Sequence, residues 1–573
     1  MDLSQESIEE VVHPTAAFIQ ASGGTRRDRI NSEDALHLSW EDSLLNPKNR
    51  IDSLDIPNRP LWRIDGCTGL GTQYYTVPVC LTNIPPMRMD VFIPENQPVH
   101  IREQLDLHKA FHTKDASRLA RLAITRHIIR TLQSWTQSTF ENLDAFERFY
   151  RSVPFGSRLV FESLSLNNRQ ILVKVGQNHN LELQLLSLPS LTALWRQDFP
   201  FLQVVDIFDV HVISVLHDSV CLVRINGQLY ILKALVSEVK YLYHELKTLC
   251  TIEPHTNIIA RPIHLVKKAC NFGGKNAIVG FTTHYHSQGS LRDFLPQLRI
   301  HGHLRESDQF KWSIQVTRAL EHLRTRSATY YPDLRLDNIV LSETLDVVMI
   351  DFEQRGVWCE FAAPEVNAIE YIRLIATDDR MPDDVYLKYQ NFIRDLLPGF
   401  DRLQEDQYMN PDDGYNASWV ALDSEEQEAA EVYMLGRLLW CIFEGVSGPQ
   451  KAAVWQSYRW ESNLEFPEYD RTPSAMRELI DRCTQGRRPN LGSIITRYQS
   501  HLVLRHQLGE DQDPDQVRAA AKDYWSAELK WAEEFLRKRE HLRKQGVWRS
   551  NYYNRPSLQE VLESLLTIQK QHA

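Results

Sequence analysis

Three short elements follow one another in a fixed order between residues 330 and 365, and the rest of the chain has to be fitted around them. The first, Tyr330-Tyr331-Pro332-Asp333-Leu334-Arg335-Leu336-Asp337-Asn338-Ile339-Val340-Leu341, sets Asp333 five residues before Asn338. Thirteen residues past Asn338, the apolar run Val348-Met349-Ile350 delivers Asp351-Phe352-Glu353. Phe361-Ala362-Ala363-Pro364-Glu365 comes next. An Asp and an Asn at that spacing are common alone. With an apolar strand ending in a second aspartate, and then Ala-Pro-Glu, they make a sharp signal.

The bulk properties narrow the field. With 573 residues the chain is long enough for three or four domains. At 43% hydrophobic and 24% charged it has a globular rather than a disordered composition. A net charge of −11 argues against a surface that coats nucleic acid. The eight cysteines are scattered with no C-x-x-C, so neither a zinc ribbon nor a disulfide framework is expected. Met1-Asp2-Leu3-Ser4-Gln5-Glu6 is acidic and has no apolar stretch, so no signal peptide is expected. No run approaches the roughly 18 apolar residues of a membrane span. The default expectation is an intracellular protein, cytoplasmic or nuclear, with neither membrane nor nucleic acid as partner.

Residues 1–85 carry a mixed pattern. Ser22-Gly23-Gly24-Thr25-Arg26-Arg27-Asp28-Arg29 reads as a flexible basic turn, with low order up to about residue 30. Pro78 to Pro86 reads as extended because its prolines favour that backbone. From about 100 to 150 the period turns helical. Leu119, Leu122, Ile129 and Leu132 recur at helical spacing behind a candidate cap at Asp115, and Arg118, Arg121, Arg126 and Arg130 take the other face. In an acidic chain that basic stripe reads as a solvated face. A second helix is expected over 142–150. Leu159–Leu164 and Ile171–Val175 flank Asn167-Asn168 as a hairpin, and the alternation of Leu181, Leu183 and Leu185 predicts a third strand. Residues 86–203 are therefore expected to form an α+β domain of unknown role.

A new set of strands starts near Val204. Val212–Leu216, Val220–Ile225 and Gln228–Leu235 read as consecutive strands, the last two joined by Asn226-Gly227, both of which accept positive φ. An amphipathic helix over Ser237–Cys250 carries Glu245, and Ile278–Phe281 reads as a further strand. Phe310–Arg324 is an amphipathic helix leading into the Asp333 loop. Residues 515–545 form another, whose apolar side holds Trp525, Leu529, Ala532, Phe535, Leu536 and Leu542. Its aromatics suit packing on a globular body better than a regular coiled-coil seam. The pairs His284/His286 and His301/His303 are too few for a zinc site.

In their order, these elements resemble the D-x-x-x-x-N, D-F-G and A-P-E motifs of eukaryotic-type protein kinases. Tyr230-Ile231-Leu232-Lys233 is similar to the family's V-A-I-K, and Glu431 to Trp440 to its buried D-x-x-x-x-G-x-x-L-W helix. Arg555-Pro556 with Glu560-Val561-Leu562 resembles its final helix better than Arg488-Pro489 does, because a full helix follows. The runs Ile350–Gly356, Ala363–Val366, Ala430–Gly436 and Leu438–Gly445 are most like divergent kinase-like proteins of filamentous fungi.

The resemblance covers about residues 204–573. It implies an α+β, bilobal kinase-like fold: a β-rich small lobe over 204–286 and a helical large lobe over 287–573, with insertions at about 367–427 and 490–550. It implies ATP and Mg2+ as ligands and a protein Ser/Thr hydroxyl as acceptor. By the same resemblance Asp333 handles the proton of the attacking hydroxyl and Arg335 lies near the γ-phosphate. Asn338 and Asp351 hold Mg2+, Lys233 contacts the phosphates and pairs with Glu245, Thr283 is the gatekeeper, and His284-Tyr285-His286 is the hinge.

Three departures keep a second reading open, a pseudokinase serving as a nucleotide- or protein-binding scaffold. The phosphate loop is Leu216-His217-Asp218-Ser219-Val220, without glycine, and the negative Asp218 should weaken ATP binding. D-F-G is Asp351-Phe352-Glu353. H-R-D is Tyr331-Pro332-Asp333, with no arginine to receive a loop phosphate, and only about a dozen residues separate Asp351 from Ala363. Glu431 replaces the usual helix aspartate.

Overall fold

The structure, a computed structural model, describes residues 1, 5–18, 56–68, 71–95, 97–110, 116–271, 273–450, 454, 462–498, 501–507 and 513–572. It is a mixed α+β protein in which two larger sheets precede a mainly helical region. The stretch 22–29 and Asp115 lie outside the described residues.

Helix α1 (Gln5–Val12) opens the chain. Low order was expected here, yet Val11 is fully buried and its carbonyl accepts the indole N–H of Trp525 at 2.7 Å. The first sheet has the order β1 (Trp62–Cys67), β2 (Gln73–Pro78), β3 (Asp90–Phe92), β4 (Arg158–Phe161), β5 (Val173–Gly176). β2 pairs with β3 across residue 85, so one sheet joins the expected 1–85 segment to the domain after it. The Pro78–Pro86 stretch is not uniformly extended, because a turn follows β2 at Val79-Cys80.

Between β3 and β4 the helical period is broken into short helices at Val99–Gln104 and Leu107–Ala110, a helical turn at Ala116–Leu119 and then α2 (Ala123–Thr139). Asp106 breaks the run by accepting the Ala123 N–H at 3.2 Å, which starts a new helix there. Arg118 and Arg121 are exposed while Arg126 and Arg130 are half-buried, so the basic stripe does not stay on one solvated face. Helix α3 (Leu143–Ser152) begins where the sequence places it, capped by Asn142. β4 and β5 form the expected hairpin.

The expected strand over 181–185 is instead helix α4 (His179–Gln184). Asn178 accepts the Leu181 N–H as its cap. Leu181 and Leu185, four apart, are buried, whereas Leu183 is 56% exposed. A strand would have put all three on one face; the helical turn leaves the middle one in solvent. Helix α5 (Leu188–Trp195) follows.

The second sheet uses β6 (Gln203–Asp206), β7 (His211–His217), β8 (Val220–Ile225), β9 (Gln228–Lys233), and, after helix α6 (Val239–Thr251), β10 (His264–Ala269) and β11 (Asn276–His284). Its order is β6-β10-β11-β9-β8-β7. Asn226 and Gly227 turn β8 into β9 with φ of 49° and 82°. The first sheet closes the β7 edge: Asp65 accepts the Val215 N–H at 2.7 Å and Arg63 donates to the Ile213 carbonyl at 2.8 Å.

The remainder is built on α7 (Leu291–Ile300) and α8 (Glu306–Arg326), the small hairpin β12 (Ile339–Leu341) and β13 (Val347–Met349), and then helices. The insertion after Glu365 carries α9 (Pro364–Ala376), α10 (Asp383–Leu396) and α11 (Phe400–Gln404), followed by an irregular segment over 405–416. Helix α12 (Ser424–Glu444) is buried along most of its length and ends at Gly445 in the left-handed region. After α13 (Ser474–Cys483), the second insertion holds a hairpin, β14 (Ile495–Tyr498) with β15 (His501–Leu504), and the 31-residue α14 (Pro514–Lys544). The aromatic side of α14 packs on α9 and α1, as its composition suggests, and α15 (Leu558–His572) closes on α8 and α13. Among the described residues no helix is long and apolar enough to cross a membrane.

Of the two Arg-Pro sites, Arg555 is the one buried. Its guanidinium grips the Glu365 carboxylate in a fork, one arm at 3.1 Å, and donates to the Ala429 carbonyl at 2.9 Å. Arg488 pairs with Glu528 at 2.6 Å but keeps 29% of its side chain exposed. Removing one partner of a buried pair strands the other charge; Glu528 is buried as well, but the partly exposed Arg488 end gives water a path to it. Arg555→Met is therefore expected to cost about 3–5 kcal/mol and Arg488→Met less, about 1–3 kcal/mol, read as shifts in urea midpoint at constant m-value.

Candidate active site

Strand β9 ends at Lys233, opposite Phe281 of β11 and Val220 of β8. Strand alternation puts Ile231 on the face of Lys233, and Thr283 pairs with Ile231, so Thr283 shares that face. Lys233 is 7% exposed and its ammonium meets three carboxylates: Glu245 Oε2 at 2.6 Å, Asp351 Oδ1 at 2.6 Å and Glu353 Oε1 at 2.9 Å. Glu245 also accepts the Phe352 N–H at 2.9 Å, which ties α6 to the Asp-Phe-Glu turn. Asp351 itself sits at φ 66°, a left-handed backbone that costs a non-glycine residue roughly 1–2 kcal/mol.

One ammonium among three carboxylates leaves excess negative charge in a buried place. Burial, with Asp351 and Glu353 beside it, pushes the Glu245 carboxyl up to about 7 against the pull of Lys233. Burial also works against the charged Asp351, yet the Lys233 charge and hydrogen bond hold it below its ordinary value. Lys233 is held protonated, because Asp351, Glu245 and Glu353 outweigh its own desolvation. Among the described residues, Glu245, Asp351 and Glu353 are the trio of metal-ligand type whose oxygens lie within 4.8 Å of one another.

The second half of the site is the 330–338 loop. Tyr331 is fully buried; its N–H donates to Glu431 at 2.8 Å, its hydroxyl to the Ile350 carbonyl, and its ring packs edge-on against Phe352 at 5.1 Å. That anchoring presents Asp333, whose Oδ2 accepts from Asn338 Nδ2 at 2.8 Å and Arg335 Nε at 3.2 Å. Burial pushes the Asp333 carboxyl up, with Arg335 and the Asn338 hydrogen bond pulling it back. The Asn338 carbonyl accepts the Ile350 N–H at 3.0 Å, fixing this loop against the residue before Asp351. Arg335 lies 4.6 Å from the Trp358 ring centroid and is close enough to Asp351 to lower its pKa.

Lys233, Glu245 and Asp351 thus converge, Asp333, Arg335 and Asn338 converge beside them, and Thr283 shares the Lys233 face. His284 and His286 do not join either cluster. They line a separate cavity of about 550 Å3 with Ile252, Ile258, Ile259 and Val348.

Two features were misread or missed from sequence. Asp218 is not simply an unmatched negative charge in the β7–β8 loop: it lies 3.4 Å from Arg88 and 3.3 Å from Gln73 of the first sheet. Glu353, expected to add a carboxylate in place of the motif's glycine, is a third partner of Lys233. Its position three residues past Ile350 was visible; its direction was not. Asn338, with its amide nitrogen committed to Asp333, and Asp351 offer the hard oxygen donors that suit Mg2+. No family model matches this chain, and no curated protein does.

The helix carboxylate that holds this loop should titrate in an accessible range. Burial raises Glu431 from 4.5 to about 7, opposed by Arg324 and the Tyr331 N–H. A carboxyl whose folded pKa is raised stabilises fully below its unfolded pKa and loses that contribution as pH climbs through the folded value. Between pH 5 and 8 the wild type is expected to lose on the order of 2 kcal/mol more stability than Glu431→Gln, measured by denaturant unfolding of both proteins at each pH.

Proposed function

We propose that this chain is a divergent, two-lobed protein kinase that transfers the γ-phosphoryl group of ATP to a Ser/Thr hydroxyl of a protein. In this reading the second sheet with α6 is the small lobe and the body from α7 onward the large one. The observation that carries it is the Lys233–Glu245 pair, 2.6 Å across from strand to helix, reaching Asp351 at the same 2.6 Å. Such a pair and such an aspartate are what phosphoryl transfer requires to be in place together. The resemblance of the ordered motifs supports the same reading.

Asp333 is then the group that orients the attacking hydroxyl and accepts its proton; its burial favours proton uptake. Lys233 holds phosphate oxygens, and Arg335 stabilises charge on the transferring group. Arg335 cannot lose its proton, and its fork suits phosphate oxygens. Asn338 and Asp351 would hold Mg2+, with Glu353 as a further carboxylate at hand. A bound Mg2+ supplies charge neutralisation at the phosphates. Use of ATP fits an intracellular setting.

A scaffold without catalysis is the second reading. Specific observations favour it: Glu353 occupies a Lys233 contact that phosphate would need, and the glycine-free β7–β8 loop is tied to the first sheet through Asp218. A thermal-shift comparison separates the two, because a ligand that binds only the folded state raises its stability by mass action. ATP with Mg2+ is expected to raise the Tm of the wild type, and Asp351→Asn to abolish the Mg2+-dependent part. No shift of a folded wild type at millimolar ATP would rule out the kinase reading and favour the scaffold.

A further inference from the structure

Residues 403–415, inside the first insertion, form a clamp on α6. Lys240, Tyr243, His244 and Lys247 recur at three- and four-residue steps and so share one helix face, with Glu245 turned well away from it. Every one of the four meets the insertion or what it holds. The Lys240 ammonium donates to the carbonyls of Leu403 at 3.0 Å and Glu405 at 2.7 Å, at the C-terminal end of α11, where a cation is favoured. The rings of Tyr241 and Tyr415 flank it at 5.3 and 5.4 Å. Tyr243 packs edge-on against Tyr408 at 5.6 Å, and Lys247 donates to Asn410 at 2.7 Å. His244 bonds Gln354, two residues past Phe352, at 2.8 Å. Gly414 lies so close to both that a Cβ there would come within 2.9 Å of each.

The clamp is itself braced from the N-terminal side. The Trp195 indole donates to the Tyr408 hydroxyl at 2.9 Å, and Asn410 Nδ2 donates to the Leu194 carbonyl at 2.9 Å. The insertion therefore bridges α6 and α5, with Tyr408 and Asn410 each meeting both helices. A 13-residue helix has little stability of its own, so its position is set by what packs on it.

We propose that residues 403–415 are a positioning element that keeps Glu245 on Lys233 from within the same chain, with no need for a phosphorylated loop. Pro332 in place of an arginine and the short 351–363 segment fit a protein that fixes this helix by another route. The inference rests on the kinase reading only for its consequence; the clamp can be tested without it.

The test is amide hydrogen exchange on the full chain, together with titration by ATP·Mg2+. Lys240→Met/Lys247→Met is expected to speed exchange across 239–251 by about tenfold while α8 and α12 hold their rates, and to weaken ATP·Mg2+ binding by about tenfold. Lys240→Arg, which keeps a cation for the two carbonyls, should restore both in combination with native Lys247. Arg394→Gln, which breaks an exposed ion pair with Asp401 elsewhere in the insertion, should change neither. Unchanged exchange in 239–251 of the folded double variant overturns the clamp. So does faster exchange with unaltered nucleotide affinity, because the element would then not position the site. Should the double variant fail to fold, Lys247→Met alone removes one bond at a half-buried position, and wild-type exchange there overturns the proposal equally. If the wild type binds no ATP·Mg2+, the kinase reading falls and the exchange measurement still decides whether residues 403–415 hold α6.

Discussion

A buried charge is tolerated only where its partners are fixed, and the ammonium of Lys233 sets that condition for the whole molecule. Its three carboxylates come from α6 and from the turn after β13, two places far apart in sequence. Leaving any of these groups buried and unmatched would cost several kcal/mol. The sheet, the helix and the turn are thereby bound to one arrangement. The excess of carboxylate over ammonium makes the site receptive to an added cation, and the rise of Glu245 toward neutral pH has the same electrostatic cause.

The body below the sheet holds the loop that faces this charge. Glu431 reaches from the buried part of α12 to the Tyr331 amide, and Phe352 lies against the Tyr331 ring. A helix fixed in a close-packed core is a rigid base, so the loop on it inherits the precision of the core. The Arg555–Glu365 pair acts similarly one step out, tying the start of α9 to the segment before α15. The insertions belong to this framework. Much of 367–427 and 490–550 is helix or hairpin packed on neighbouring elements, not loop looped out from a finished fold.

Where the sequence was legible, the signal was local. Asn226-Gly227 names its own turn because both residues accept positive φ, and Asn142 names the start of a helix because its side chain satisfies a free amide. Where it misled, two local readings competed. Leu181, Leu183 and Leu185 alternate like a strand, but Leu181 and Leu185 are also one helical turn apart, and the Asn178 cap with burial of those two decided the matter. The break before Ala123 was hidden for a different reason: the acceptor that starts α2 is Asp106, seventeen residues upstream.

The sequence by itself determined the order and spacing of the groups that gather at the candidate site: Lys233, Glu245, Asp333, Asn338 and Asp351, each on the strand, helix or loop that its neighbours dictate. Spacing and periodicity act over a few residues, which is enough to assign such elements. Only the tertiary structure decided that Glu353 turns onto Lys233, that Asp218 docks on Arg88, and that residues 403–415 grip α6. Those contacts join positions more than a hundred residues apart. They follow from how whole elements pack, where burial forces each charge to find a partner, and no short stretch of sequence carries that information.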